Sequence, residues 1–357
     1  MSQKIVLVLT IAVLVMIGAA VLLSTDEGNN DEMKMLLPGL KAQLANLDRV
    51  EIVTRDEAVT LAAIDGLWSV VERNNYPAKR ETLSAMANQV AKAKLLEQKT
   101  SRPENYARLG LVDLEDPASE AVQLSLRAGE TEFTTLLGNN ASGRTGRYAR
   151  DDEQTWLTDA IDVEKLPAAW LEPVIINVES ADVARVVLKG EGGELTFERN
   201  AQGEFDFGQL PPDRELKYPA ITGEPARALV NVRLEDVSAH EDKRWQDVAS
   251  ANFTLLDGRE IRVQVAKYDE GNWLNFSVGP ALESAETESA ETGIGEETSD
   301  ADSSETKTVV AITTAVPDLS VWDYRVSSYV FDDFVKSLDD ILEEQQTEDS
   351  DAIDLVE

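Results

Sequence analysis

An ordered series of short elements occurs twice in this chain of 357 residues, and no other feature restricts its folding as much. Val50-Glu51-Ile52 recurs as Val186-Val187-Leu188, Thr60-Leu61 as Thr196-Phe197, and Gly66-Leu67-Trp68 as Gly203-Glu204-Phe205, at offsets of 136, 136 and 137 residues. Tyr76-Pro77-Ala78 then returns as Tyr218-Pro219-Ala220, the helix-core pair Val90 and Leu95 as Leu229 and Leu234, and the turn at Gly129 as Asp257-Gly258. A closing element, Leu166 to Val178 with Trp170, is matched by Leu319 to Val330 with Trp322. Matches that keep their order across a whole unit predict two copies of one domain, 40–178 and 179–340, with loops of different length accounting for the drift in offset.

Within each copy the pattern is mostly that of strands. Val50–Val53, Ala58–Ile64 and Leu67–Val71 are short runs rich in β-branched and aromatic residues, separated by Arg55-Asp56-Glu57 and Asp65-Gly66. Links this short exclude the crossover that parallel strands require, so the pairing is antiparallel. Alternation in Glu260-Ile261-Arg262-Val263-Gln264-Val265 predicts one packed and one wet sheet face. Lys79 to Leu96 changes to helical spacing, with Leu83, Met86, Val90 and Leu95 near one face, and supplies a helix to cover the sheet. The expected class is therefore α+β: two tandem copies of a mostly antiparallel β-sheet domain, each with a packed helix, preceded by one transmembrane helix.

The expected transmembrane helix is Ile5 to Leu23, a run without a charged residue. Nineteen helical residues span roughly 28 Å, close to the hydrocarbon thickness of a bilayer. Lys4 precedes the run, whereas Asp26, Glu27, Asp31 and Glu32 follow it, so the positive-inside bias keeps the N-terminus in the cytoplasm. Residues 1–25 are thus expected to anchor the chain in a bacterial inner membrane and 26–39 to tether a bulk that is periplasmic. The run passes straight through the small residues Gly18 and Ala20, which favours an uncleaved anchor over a signal peptide.

Charge bounds the partners. Sixty-seven acidic against 33 basic residues give a net charge of -34, a field that repels phosphate backbones, so no nucleic-acid partner is expected. The acidity also suits a salty habitat. Residues 279–308 hold nine acids and one lysine among Ser, Thr and Ala, and read as a disordered insertion within the second copy. Residues 341–357 read as an acidic tail. With no cysteine in the chain, disulfides and thiolate metal sites are excluded.

The recurring Val-x-x-Val/Ile, Thr-Leu, Gly-x-Trp-x-Val and Tyr-Pro-Ala before a helix resemble the domain of unknown function 4340 family. Asn105-Tyr106-Ala107-Arg108-Leu109-Gly110-Leu111 and Gly146-Arg147-Tyr148-Ala149-Arg150 carry the same resemblance. It covers 40–178 well and 179–340 more loosely, because the second copy lacks a clear counterpart of Leu109-Gly110-Leu111. The resemblance implies one N-terminal anchor, tandem copies, and work beside ABC-type transporter components related to gliding-motility auxiliary proteins. It supplies no catalytic residues.

The residues themselves offer little chemistry. His240, the only histidine, has no cysteine for a zinc set, and no Gly-x-Ser-x-Gly elbow supplies a serine for a triad, so it reads as an ordinary polar surface residue. Asp151-Asp152-Glu153 and Asp332-Asp333 offer carboxylate oxygens to a hard cation but lack the spacing of a calcium loop, and read as solvated turns. Ser142-Gly143-Arg144-Thr145-Gly146 lacks the ending of a phosphate loop and reads as a hairpin connection. Trp68, Phe205, Trp170 and Trp322 read as packing anchors rather than a sugar-stacking platform. No catalytic, cofactor or metal residue is therefore assigned and no cofactor expected. The expected function is a non-enzymatic, membrane-anchored envelope module, a binding or scaffold partner of an ABC-type transporter or gliding-motility-like complex. The alternatives are an envelope hydrolase with a carboxylate site between the repeats, or a structural spacer.

Overall fold

Two-residue turns set the architecture. In the computed structural model, which describes residues 34–245, 249–280 and 310–343, strand β2 (Ala58–Ile64) pairs with β3 (Leu67–Val70) through Asp65 and Gly66, both at positive φ, 49° and 82°. Positive φ at both central residues is what a type I′ turn demands, and its twist matches that of the flanking strands. β4 (Tyr76–Pro77) adds to β3 as a short edge, where a proline without an N–H is tolerated. These strands, led by β1 (Arg49–Val53), precede the one long helix among the described residues, α1 (Arg80–Lys92), whose Leu83, Met86, Ala87, Val90 and Ala91 are buried.

The chain divides into two compact units, one of residues 1–47, 52–56 and 85–163, the other of 48–51, 57–84 and 164–357. In the first, β5 (Leu95–Gln98), β6 (Val122–Ala128), β7 (Thr131–Asn140), β8 (Arg147–Asp151) and β9 (Gln154–Thr158) lie in the order β6-β7-β8-β9-β5, all antiparallel. Gly129 opens the β6–β7 turn at φ 61°, as a type II′ turn requires. Leu124, Leu126, Leu137, Ala149 and Leu157 form the buried face.

In the second unit, β10 (Val174–Asn177) is flanked by β14 (Val232–Arg233) and β19 (Thr313–Thr314) in a small sheet. The larger sheet has eight strands. It is built from β11 (Val183–Gly190), β12 (Gly193–Arg199), β13 (Phe205–Asp206), β15 (Asp236–Ala239), β16 (Ala249–Leu255), β17 (Glu260–Tyr268), β18 (Gly271–Val278) and β20 (Trp322–Val326), in the order β13-β12-β11-β16-β17-β18-β20-β15. Along β17 the isoleucine and valines are buried while Glu260 and Arg262 are exposed, as the alternation predicts. The packed face is closed by α2 (Ser328–Asp332) and the residues after it. Phe334 sits edge-on to Phe253 and Phe276, both at 6.1 Å. The last helical turn, α3 (Leu338–Ile341), begins at a Ser337–Asp340 capping box.

The α+β expectation is corrected here. The described residues are mostly antiparallel sheet with few helices. In the stretch expected to provide a second packed helix, 219–234, there are only 3-10 turns at Pro219–Gly223 and Pro225–Arg227. Two prolines six residues apart, each lacking an N–H donor, with Gly223 between them, cannot sustain α-helical hydrogen bonding. No helix among the described residues is long and apolar enough to cross a membrane. The expected anchor at Ile5–Leu23 lies outside the described residues, as do nearly all of the acidic insertion and the acidic tail. The proposed match of Trp170 with Trp322 also fails, because Trp170 ends a 3-10 turn whereas Trp322 opens a paired strand.

Candidate functional site

Pairing of β15 with β20 sets Ser238 opposite Asp323 and Ala239 opposite Trp322, and the chain then turns through a 3-10 turn at Asp242–Arg244. That turn carries His240 and Trp245 back over Asp323, whose side chain is 0 % exposed. Asp323 Oδ1 lies 2.7 Å from His240 Nδ1 and accepts from Trp245 Nε1 at 3.0 Å. Its Oδ2 accepts from the Glu241 N–H at 3.3 Å and from the Tyr268 hydroxyl at 3.4 Å, with Arg244 Nη1 at 3.9 Å. Asn275 Nδ2 directs its two hydrogens at the carbonyls of Trp322 (2.8 Å) and Ser320 (3.0 Å). None is left for His240 Nδ1, which lies 3.2 Å away, so Nδ1 carries the proton donated to Asp323.

His240 is therefore not the ordinary surface residue its sequence context suggests. Its ring is stacked 6.2 Å from Trp245 and its side chain is 23 % exposed, while Nε2 faces the exposed Asp242 at 3.1 Å. A histidine oriented by a buried carboxylate is two-thirds of a catalytic triad. The position a nucleophile would occupy is taken by the Asp242 carboxylate, and Asp323 also serves Trp245 and a backbone N–H. Such an arrangement fastens a turn to a sheet. The 83 residues separating His240 from Asp323 gave no local signal of the pair.

On the same unit, a cleft of about 1020 Å³ runs past the tip of the β11–β12 hairpin, the end of β17 and the segment Phe331–Ser337. Leu188, Leu195, Val265 and Phe334 supply apolar walls, and Lys189, Arg244, Lys267 and Lys336 supply four cations; Glu191 is the one acid that lines it. Three of these four cations nevertheless have carboxylate partners just outside the lining. Lys189 pairs with Glu194 at 2.8 Å, Arg244 with Glu241 at 3.3 Å, and Lys336 with Glu224 and with Asp333 at 3.9 Å. Lys267 is different. It is exposed, its Nζ lies 5.0 Å from the centre of the Phe331 ring, and it has no carboxylate in ion-pair reach among the described residues.

The other sequence candidates have plain places. Asp152-Glu153 is the turn of the β8–β9 hairpin, with Asp152 at φ 52°. Asp333 is pushed above the usual carboxylate range by burial, and Asp332 ends α2. Arg144, in the β7–β8 connection, bonds to Glu97. Trp170 is wholly buried and Phe205 nearly so, with Arg199 over the Phe205 ring at 4.6 Å. Trp322 meets Tyr76 edge-on at 5.2 Å. Among the described residues no cluster of three or more His, Asp or Glu is placed to hold a metal ion.

The two motifs that carried the family resemblance in the first copy meet each other in space. Gly110 caps the 3-10 turn Pro103–Leu109 at φ 68°, and Arg150 donates to Leu111 O at 2.9 Å while its guanidinium covers the Tyr106 ring at 4.9 Å. Arg147, buried and held below its usual pKa by that burial, donates to Gly138 O at 2.9 Å and Ile161 O at 2.8 Å. These arginines tie loops to the sheet, so the motif reads as architecture.

The class so defined is an antiparallel β-sheet protein whose second unit carries a partly apolar cleft lined by four cations. The family model described as domain of unknown function (DUF4340) matches residues 68–244, from β3 through the His240 turn. No curated protein and no solved structure matches the chain.

Proposed function

We propose that this chain is a non-enzymatic binding or scaffold module that works through protein partners. The observation that carries the reading is the cleft on the second unit, where four cations and an apolar floor are gathered in an otherwise acidic molecule. Grooves of this kind, apolar with a few placed charges, are the usual form of a recognition surface. The use of the His240–Asp323 pair as a structural clasp also supports it. That the partners are ABC-type transporter subunits, and that the module faces the periplasm, rests on the family resemblance and the N-terminal charge asymmetry alone.

The tandem-copy reading belongs to the same proposal. Strand order supports it: β3-β2-β1 and β6-β7-β8-β9-β5 run as β13-β12-β11 and β16-β17-β18-β20-β15 do, element for element. In this correspondence β20 takes the place of β9, which moves the partner of Trp322 from Trp170 to the β9 strand. The test is cross-linking in native cells followed by identification of the adducts. Recovery of transporter subunits is expected; recovery of no protein partner would refute the binding reading.

A further inference from the structure

We infer that the outer edge of β13 receives an extended segment of a partner polypeptide as an added antiparallel strand, an assignment that rests on the binding-module reading and on the strand correspondence proposed with it. In that correspondence β13 takes the place of β3, and both lie in the second unit. The edge of β3 is covered by β4. Among the described residues no strand covers the edge of β13, which ends its sheet.

Main-chain geometry carries the inference. On β3 the covering segment is held by the Ala78 N–H, which donates to Trp68 O at 2.7 Å, and by the Asn75 N–H, which donates to Val70 O at 3.1 Å. Phe205 is the counterpart of Trp68. Arg199 lies opposite Phe205, and the Asn200 N–H donates to Glu204 O at 2.8 Å, so by the alternation of an antiparallel ladder Phe205 turns its own N–H and C=O away from β12. Phe205 is only 8 % exposed, yet its carbonyl accepts from no described residue. A carbonyl so placed calls for a donor.

Space for the donor lies beside it. A pocket of about 650 Å³ is lined by Phe205, Asp206 and Phe207 and, from the next segment, by Leu216, Pro219 and Ala220. Tyr218-Pro219-Ala220 is the sequence counterpart of β4, but Pro219 opens a 3-10 turn and the segment does not pair with β13, so the place of that strand stays open. Phe207 and Leu216 are half-buried and Pro219 and Ala220 exposed, which leaves apolar surface to be covered. Two arginines and two acids line the pocket, so recognition falls to the main chain and an apolar side chain rather than to net charge. β4 shows what such an edge accepts: an extended aromatic-proline pair, with Tyr76 wholly buried.

The test uses the full chain and a fluorescent, end-capped peptide of the β4 sequence, Asn-Asn-Tyr-Pro-Ala-Lys, residues 74–79. Saturable binding is expected, little changed by rising salt. N-methylation of the peptide's alanine keeps its charge and side chains but removes the donor to Phe205 O, and should weaken binding roughly tenfold. Ala220→Trp, at an exposed position, should fill the pocket and weaken binding by a similar factor, with an unchanged thermal midpoint showing that it folds. Gly223→Leu is the second variant, because a Cβ there meets nothing within 4 Å. Absence of binding at about 1 mM peptide, or binding indifferent to N-methylation and to both substitutions, would overturn the assignment. A dimer of the chain that the peptide dissociates would overturn it too, naming a second copy as the occupant. Partners recovered by cross-linking while the peptide fails to bind would sink the edge assignment and leave the binding-module reading standing.

Discussion

Asp323→Ala is the substitution that tests the clasp most directly. The wild-type carboxylate accepts from Trp245 Nε1, His240 Nδ1, the Tyr268 hydroxyl and the Glu241 N–H. Trp245 is 7 % exposed, so its indole N–H would find no water in place of the lost oxygen. A buried donor left unsatisfied costs about 1–3 kcal/mol, and the lost bond from His240 adds a comparable amount. Against this stands the cost of burying the carboxylate itself, which the wild type bears and the variant escapes. The net expected loss is about 2–4 kcal/mol, and at roughly 2–4 °C per kcal/mol the thermal midpoint should fall by roughly 10 °C. Asp323→Asn keeps the volume and one acceptor oxygen but turns amide hydrogens toward existing donors, and should fall between the two. Tryptophan fluorescence during urea unfolding measures the loss, and near-UV dichroism reports whether Trp245 has left its packed site. A variant within about 1 kcal/mol of wild type with unchanged aromatic dichroism would refute the claim that this network holds the turn.

Other outcomes follow from single contacts. Gly138→Ala should destabilise by about 1–3 kcal/mol, because a Cβ there meets Leu109 O at 2.2 Å, whereas Gly129→Ala has open space and pays only the positive-φ strain of about 1 kcal/mol; urea midpoints compare them. Phe334→Ala should cost about 3–5 kcal/mol in the same assay, since it empties the contact that closes the larger sheet. Tyr76→Phe should be neutral or stabilising by up to about 2 kcal/mol, because the Tyr76 hydroxyl is buried without a hydrogen-bond partner. Burial raises the pKa of both Tyr76 and Tyr324, so the folded state holds their protons more tightly than the unfolded state does. Their contribution is complete below about pH 10 and is lost as pH rises above it, so urea midpoints should fall in that range, less steeply in Tyr76→Phe.

Local chemistry made the strands and their pairing sense legible. Asp65-Gly66 and Gly129-Glu130 leave room only for two-residue turns, and such turns admit only antiparallel neighbours. The alternation in β17 named its buried face for the same reason, that side chains on a strand point alternately to its two sides. The helix expected over Lys79–Leu96 was readable in part: it spans Arg80–Lys92, and Leu95 and Leu96, expected on it, open strand β5 instead. A second helix was expected by analogy at 219–234, and Pro219, Pro225 and Gly223, plain in the sequence, were the residues that forbade it.

What the sequence alone determined, then, is a number of the strands, among them β1, β2, β3 and β17, their antiparallel pairing and the buried face of β17, because each depends on residues within a few positions of one another. Only the tertiary structure decided which polar residues meet. Asp323 gathers His240, Trp245 and Tyr268 from two other stretches of chain, and the cleft draws Lys189, Arg244, Lys267 and Lys336 from four. Each of those side chains reads as ordinary surface polarity by itself, since no periodicity or spacing along the chain encodes a contact made across strands distant in sequence. The register of β15 on β20 makes the clasp, and the return of the segment after α2 over the β17 end makes the cleft.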